Sequence, residues 1–93
     1  MTLPVNIEHN TEQQRFAITV EGLLCVCDYH VSAGVATFTR TVVPPALAGR
    51  GLAAALVEAA LAWARQERLK VRPACSYVAV YMRRHPQTLD LMA

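Results

Sequence analysis

Gly49-Arg50-Gly51-Leu52-Ala53 is the segment whose residue types and spacing point most directly to chemistry. Glycines let a backbone turn tightly and approach a ligand closely, and the alanine-rich run beginning at Leu52 favours helix. The first N–H groups of a helix have no intrahelical partners and point beyond its start. Such a turn suits an anion, phosphate above all. A Walker loop needs Gly, four residues, then Gly-Lys-Ser/Thr, and a dinucleotide fingerprint needs G-x-G-x-x-G; neither is present. Arg50 lies inside the turn and can add charge. An ordinary strand-to-helix turn would carry the same residues, so the surroundings must decide.

Cys75 is the second candidate. It follows the short strand-like segment Leu69 to Ala74 and lies at a predicted helix start, where the dipole lowers a thiol pKa; Arg72 nearby would add to the effect. A thiolate there can act as a nucleophile, and a thiol as an acid. A small residue buried at a strand-helix junction is the plainer alternative. Tyr77 and Tyr81, four apart, share a helix face and are either proton donors or packing residues. His30 and His85 carry imidazole, the side chain suited to general base work near neutral pH; His85 before Pro86 also fits a helix cap, and no base is assigned. Cys25 and Cys27 share one face of a strand. C-x-C without further Cys or well-spaced His is poor for zinc, so no metal is expected and both read as buried, reduced thiols.

These candidates need elements to position them. Arg15 to Val20 alternates, with Phe16, Ile18 and Val20 on one face. Val5 to His9 reads as an edge strand, Leu23 to Val31 as a strand, and Val35 to Val43 as the clearest strand, dense in β-branched residues and ended by Pro44-Pro45. A helix is predicted from Leu47 or Gly49 to Glu67, with Leu52, Leu56, Ala59 and Trp63 as its buried stripe and Glu58 and Arg65 facing solvent. A fifth strand at Leu69 to Ala74 and a second helix from Cys75 or Ser76 to Arg84 follow, the latter stopped by His85-Pro86. The order β-β-β-β-α-β-α predicts an α+β fold: a mixed, mostly antiparallel sheet of about five strands with two helices.

Composition sets the bounds. The 93 residues are 54% apolar and 17% charged, which predicts one domain over residues 1–93 and argues against disorder. No apolar run approaches the ~18 residues of a membrane span, and Met1 to Asn6 lacks a signal peptide's charged and apolar regions. A cytoplasmic protein without a membrane partner is expected. A net charge of +2 without a clustered basic stripe argues against nucleic acid. Arg65, Arg68, Lys70, Arg72, Arg83 and Arg84 concentrate late in the chain, where they are solvated or serve a small polyanion.

The glycine turn resembles the pyrophosphate loop of the GNAT acyltransferase superfamily, Arg/Gln-x-x-Gly-x-Gly/Ala, with Gly51 and Ala53 in its two small positions and Ala48 where the family usually has Arg or Gln. The wider combination is similar to small, single-domain GNAT-like N-acetyltransferases of the minimal core type. It comprises Thr41-x-Val43-Pro44, the Gly-x-Gly-x-Ala turn, Val71-x-Pro73-x-Cys75-Ser76-Tyr77-Val78, and Arg84-His85-Pro86. Relatives tend to read His-Pro-Glu-Tyr where this chain has His85-Pro86-Gln87-Thr88.

The resemblance implies an acetyl-CoA-binding N-acetyltransferase moving acetyl to an unidentified amine, on a small molecule or a polypeptide. It places the pyrophosphate on Gly49, Arg50, Gly51, Leu52, Ala53 and Ala54, pantetheine on backbone groups freed where the strand splays at Val42 and Val43, and Cys75 beside the thioester. Cys75 would then protonate the leaving CoA thiolate or take the acetyl group first. A domain this small has little surface to enclose an acceptor, and a second copy of the chain is one way to complete the groove. The alternative is a non-catalytic acyl-CoA-binding or small protein-interaction domain, which Ala48 and the missing acceptor-side elements favour.

Overall fold

Alternation of apolar and polar residues shapes the first half of the chain. In the computed structural model, which describes residues 6–93, β1 (Glu8–Asn10), β2 (Arg15–Val20), β3 (Leu23–Ser32) and β4 (Val35–Val42) form an antiparallel meander. β5 (Lys70–Pro73) then joins β4 in parallel, and the sheet order follows the chain. The expected α+β class with a mixed, mostly antiparallel sheet is the one adopted. Of the expected first strand, Val5 lies outside the described residues, and the strand itself starts at Glu8.

Phe16 and Ile18 stand opposite Cys27 and Cys25 across the β2–β3 ladder, and all four are buried. The two cysteines therefore share the core-facing side of β3. Glu21-Gly22 and Ala33-Gly34 close the hairpins with positive φ at both turn residues, the conformation whose twist matches that of the strands.

A parallel pair needs a long crossover, and α1 (Leu52–Gln66) supplies it; α2 (Ser76–Arg84) follows β5. The sequence placed the start of α1 earlier, at Leu47 or Gly49. Instead Pro45–Leu47 forms a single 3-10 turn, and Gly49 and Gly51 have φ of +82° and +77°, which a right-handed helix does not accommodate. The expected buried stripe is also corrected. Leu52, Leu56, Val57, Ala60, Leu61 and Ala64 are buried, because a sheet covers a broader face than one line of side chains. Ala59 and Trp63 lie half-buried at the margin. Trp63 closes an aromatic cluster there, its ring centroid 4.9 Å from His9 and 4.7 Å from Tyr29.

α2 ends at Arg84 as Pro86 requires, but the chain then winds through 3-10 turns at Pro86–Leu91 that the sequence did not reveal. Leu91 is buried, Met92 bridges Val71 in parallel, and Arg65 holds Asp90 through two hydrogen bonds at 2.8 and 2.9 Å. The tail thus lies along the β5 edge. Fully buried Phe38, Leu47, Leu56 and Met82 centre the core, each contributing about 1.5–3 kcal/mol relative to exposure.

Candidate functional site

β4 and β5 separate where the candidate residues meet. Their pairing runs from Val35↔Lys70 to Phe38↔Pro73 and stops, while β4 continues through Thr39, Arg40, Thr41 and Val42. Two causes coincide. The β3–β4 register skips at this point, Tyr29 facing Phe38 but Asp28 facing Arg40, so Thr39 is the extra residue of a bulge; a bulge bends its strand. Pro73 ends β5, and the Cys75 N–H donates to the Phe38 carbonyl at 2.8 Å as the last backbone-to-backbone bond across the gap. Beyond it, the β4 edge facing the gap has no strand partner among the described residues.

The glycine turn lies past the end of β4. Gly51 is the N-cap of α1, and the first helical bond of α1 is Ala55 N–H to the Gly51 carbonyl, 3.0 Å. The N–H groups of Gly51, Leu52, Ala53 and Ala54 are therefore the four donors a helix start leaves over. No side chain caps them, and the first turn of α1 holds no acidic residue. Gly49 and Gly51 supply the left-handed conformations the turn needs. A Cβ at either would meet nothing within 4 Å, so their role is in the backbone path rather than in relieving a clash.

Around this start, Val43, Leu47, Ala48, Gly49, Ala53 and Tyr77 help line a pocket of about 360 Å³. Gly51, Ala54 and Tyr77 also line a larger groove of about 720 Å³ between α1 and α2, with Glu58, Ser76, Tyr81, Arg84 and His85 further along. The Tyr81 and His85 rings stack at 4.0 Å, and His85 Nδ1 lies 2.8 Å from the Tyr81 carbonyl. Burial raises the Tyr81 phenol pKa, and Glu58 and Tyr77 add to the effect.

Of the residues singled out by sequence, Val43, Gly49, Gly51, Leu52, Ala53 and Ala54 come together in the smaller pocket. Val42 is 40% exposed and pairs with Val26 on β3. Arg50 turns away from both cavities to Glu21, Nη1 to Oε2 2.8 Å, in an exposed ion pair. Tyr77 gains importance, since it borders both cavities. Glu58, expected only as a solvent-side marker, is exposed and also borders the groove.

Cys75 is the N-cap of α2, half-buried, with its sulfur 3.6 Å from the Thr41 hydroxyl. The same hydroxyl lies 3.8 Å from the sulfur of Cys27, directly opposite Thr41 in the ladder. Burial is the largest single influence on Cys75 and pushes its pKa up. The Val78 N–H, the Thr41 hydroxyl, the Tyr77 N–H and the Thr41 backbone together outweigh it, and the thiol sits below its ordinary value. As a thiol, Cys75 makes no cap bond; as a thiolate it draws on these donors. Burial pushes Cys27 the other way, to about 11, despite the Thr41 hydrogen bond. Among the described residues, no three His, Cys, Asp or Glu side chains are grouped to hold a metal ion.

The sheet parts at β4–β5 from Thr39 onward, earlier than the Val42 and Val43 that the resemblance implies, and the glycine turn opens the crossover helix. The family model for GCN5-related N-acetyl-transferase matches residues 15–91, and the chain belongs to that family. It is similar to Protein NATD1 of Mus musculus, with 30% identity over 87 residues that cover 89% of this chain and 78% of that protein. Protein NATD1 of Gallus gallus and of Homo sapiens match at the same identity, with 78% and 76% of those proteins covered. No helix among the described residues is long and apolar enough to cross a membrane.

Proposed function

We propose that this domain binds acetyl-CoA and transfers its acetyl group to an amine. The observation that carries the reading is the uncapped start of α1, whose Gly51, Leu52, Ala53 and Ala54 line a pocket together with Val43, the residue that follows β4. A pyrophosphate at Gly51 to Ala54 would satisfy those donors and the helix dipole. Family membership supplies the cosubstrate class. The groove between α1 and α2 would take the nucleotide end, with Arg84 available to a phosphate, and Arg50 could join the loop by leaving Glu21. Pantetheine would run toward the gap, pairing with backbone groups at Val42 and Val43 in place of the missing strand.

This path ends near Cys75. An amine nitrogen attacks the thioester carbonyl, the C–N bond forms and the C–S bond breaks. The departing CoA thiolate takes the Cys75 proton, the new amide sheds one proton to water, and Cys75 regains its own from solvent. A backbone N–H at the gap would stabilise the developing oxyanion. The acceptor is a small-molecule or polypeptide amine reaching the open end of the gap, with a second copy of the chain as one means of enclosing it. Release of free CoA thiol from acetyl-CoA in the presence of amines tests the reading. Acetylated product formed by the parent and lost on Cys75→Ala supports it; an acetyl adduct trapped on Cys75 would make the thiol a nucleophile instead. No release with any amine or peptide offered would leave a binding domain.

A further inference from the structure

Cys27 is fully buried and chemically idle in the mechanism above, yet it shares one hydroxyl with Cys75. Thr41 Oγ1 stands between the two sulfurs, 3.8 Å from one and 3.6 Å from the other, on the stretch of β4 that has left β5. We propose that Cys27, Thr41 and Cys75 form a hydrogen-bond relay whose direction reverses when Cys75 ionises, making Thr41 and Cys27 positioning residues for the reactive thiol.

A hydroxyl has one proton to donate and lone pairs to accept with. With Cys75 protonated, its S–H donates to Thr41 Oγ1, and the Thr41 O–H donates to Cys27 Sγ. A Cys75 thiolate can only accept, so the Thr41 O–H must turn toward it. That leaves Oγ1 free to accept from Cys27, which must still hold its proton to donate. Complete burial keeps that proton in place: Cys27 ionises only at about 11. Both states then have every member hydrogen-bonded, and apart from the proton that Cys75 gives up to solvent or to a leaving thiolate, only S–H and O–H rotations separate them. No proton moves between residues. A β-branched threonine fits because its stiff χ1 holds the hydroxyl between the sulfurs, and the carbon framework of valine would fill the same space without the hydroxyl.

The inference rests on Cys75 being the reactive end of the groove, but its test needs no CoA. Cys25 and Cys27 are inaccessible, so iodoacetamide labelling of the folded protein at neutral pH, mapped by peptide mass, reads Cys75 alone. Thr41→Val should slow labelling roughly three- to tenfold, the lost thiolate fraction being partly offset by the greater nucleophilicity of a more basic thiol. Thr41→Ser should restore it to within about twofold, and Cys27→Ala should slow it by a smaller factor. Circular dichroism confirms that each variant is folded. Parent-like labelling of folded Thr41→Val, or failure of Thr41→Ser to rescue, overturns the relay. Unchanged acetyl transfer by Cys75→Ala would instead sink the catalytic reading and leave the relay standing.

Discussion

Arg50 is tied to Glu21 at 2.8 Å, linking the glycine turn to the β2–β3 hairpin rather than to the cavity it borders. The positive charge inside the turn is thus engaged by Glu21, with both partners exposed and the pair weakly held. Glu21→Gln should free the guanidinium and tighten CoA binding roughly two- to fivefold at low salt, fading as ionic strength rises. Titration calorimetry at two salt concentrations checks this; unchanged affinity at both would mean that Arg50 does not reach the ligand.

Gly51 has φ of +77° with open space where a Cβ would point. Gly51→Ala should therefore cost about 1 kcal/mol from backbone conformation alone, read as a shift in urea midpoint without a change in slope. A loss of several kcal/mol would instead reveal a clash that the geometry does not contain.

Cys27 predicts the alkaline limit of stability. Its folded-state pKa of about 11 exceeds the ordinary thiol value of 9.0, so between these pH values the unfolded chain has lost a proton that the folded chain keeps. The unfolded state is favoured there, and stability should fall by about 2 kcal/mol from pH 9 to pH 11. Cys25, raised by burial, acts in the same direction, whereas Cys75, lowered, has the opposite sign and contributes stability that is lost as pH falls through its folded-state pKa. Urea titrations across pH 8 to 10 should show a shallower decline in Cys27→Ala than in the parent. Parallel declines would contradict the assignment.

Leu91 ties the C-terminal tail to the core, together with the Met92–Val71 bridge and the Ala93 N–H bond to the Val71 carbonyl at 2.9 Å. Leu91→Ala should destabilise the fold by about 2–4 kcal/mol. A thermal midpoint within a degree of the parent would show that the tail is not part of the folded unit.

The strands were legible because period-two alternation and turn residues such as Glu21-Gly22 act locally, and β2 and β4 fall within a residue of expectation. The start of α1 was misplaced because Leu47 and its alanines look helical and outweigh the poor helix propensity of Gly49 and Gly51, whose left-handed φ is set by the turn. The glycine turn and Cys75 could be found because each has a local signature. Thr41 could not. In a strand rich in β-branched residues it reads as one more strand former, and only the bulge at Thr39 and the Cys27↔Thr41 register place its hydroxyl between two sulfurs. Tyr77 was visible as a helix-face residue, but its position at both cavities depends on how α2 packs beside α1. The Arg50–Glu21 pair joins positions 29 apart and left no trace in the sequence near either.

If the free N–H groups at the start of α1 bind the pyrophosphate of acetyl-CoA, the ligand must raise the thermal midpoint of the domain. At a hundredfold excess over Kd, acetyl-CoA should stabilise the folded state by about 2.7 kcal/mol, raising the midpoint by on the order of 10 °C for a domain of this size. Folded Gly51→Glu, with a carboxylate in the cradle, should show no shift. An unmoved parent at millimolar acetyl-CoA, or an equal shift in Gly51→Glu, would mean that the start of α1 is not the pyrophosphate site.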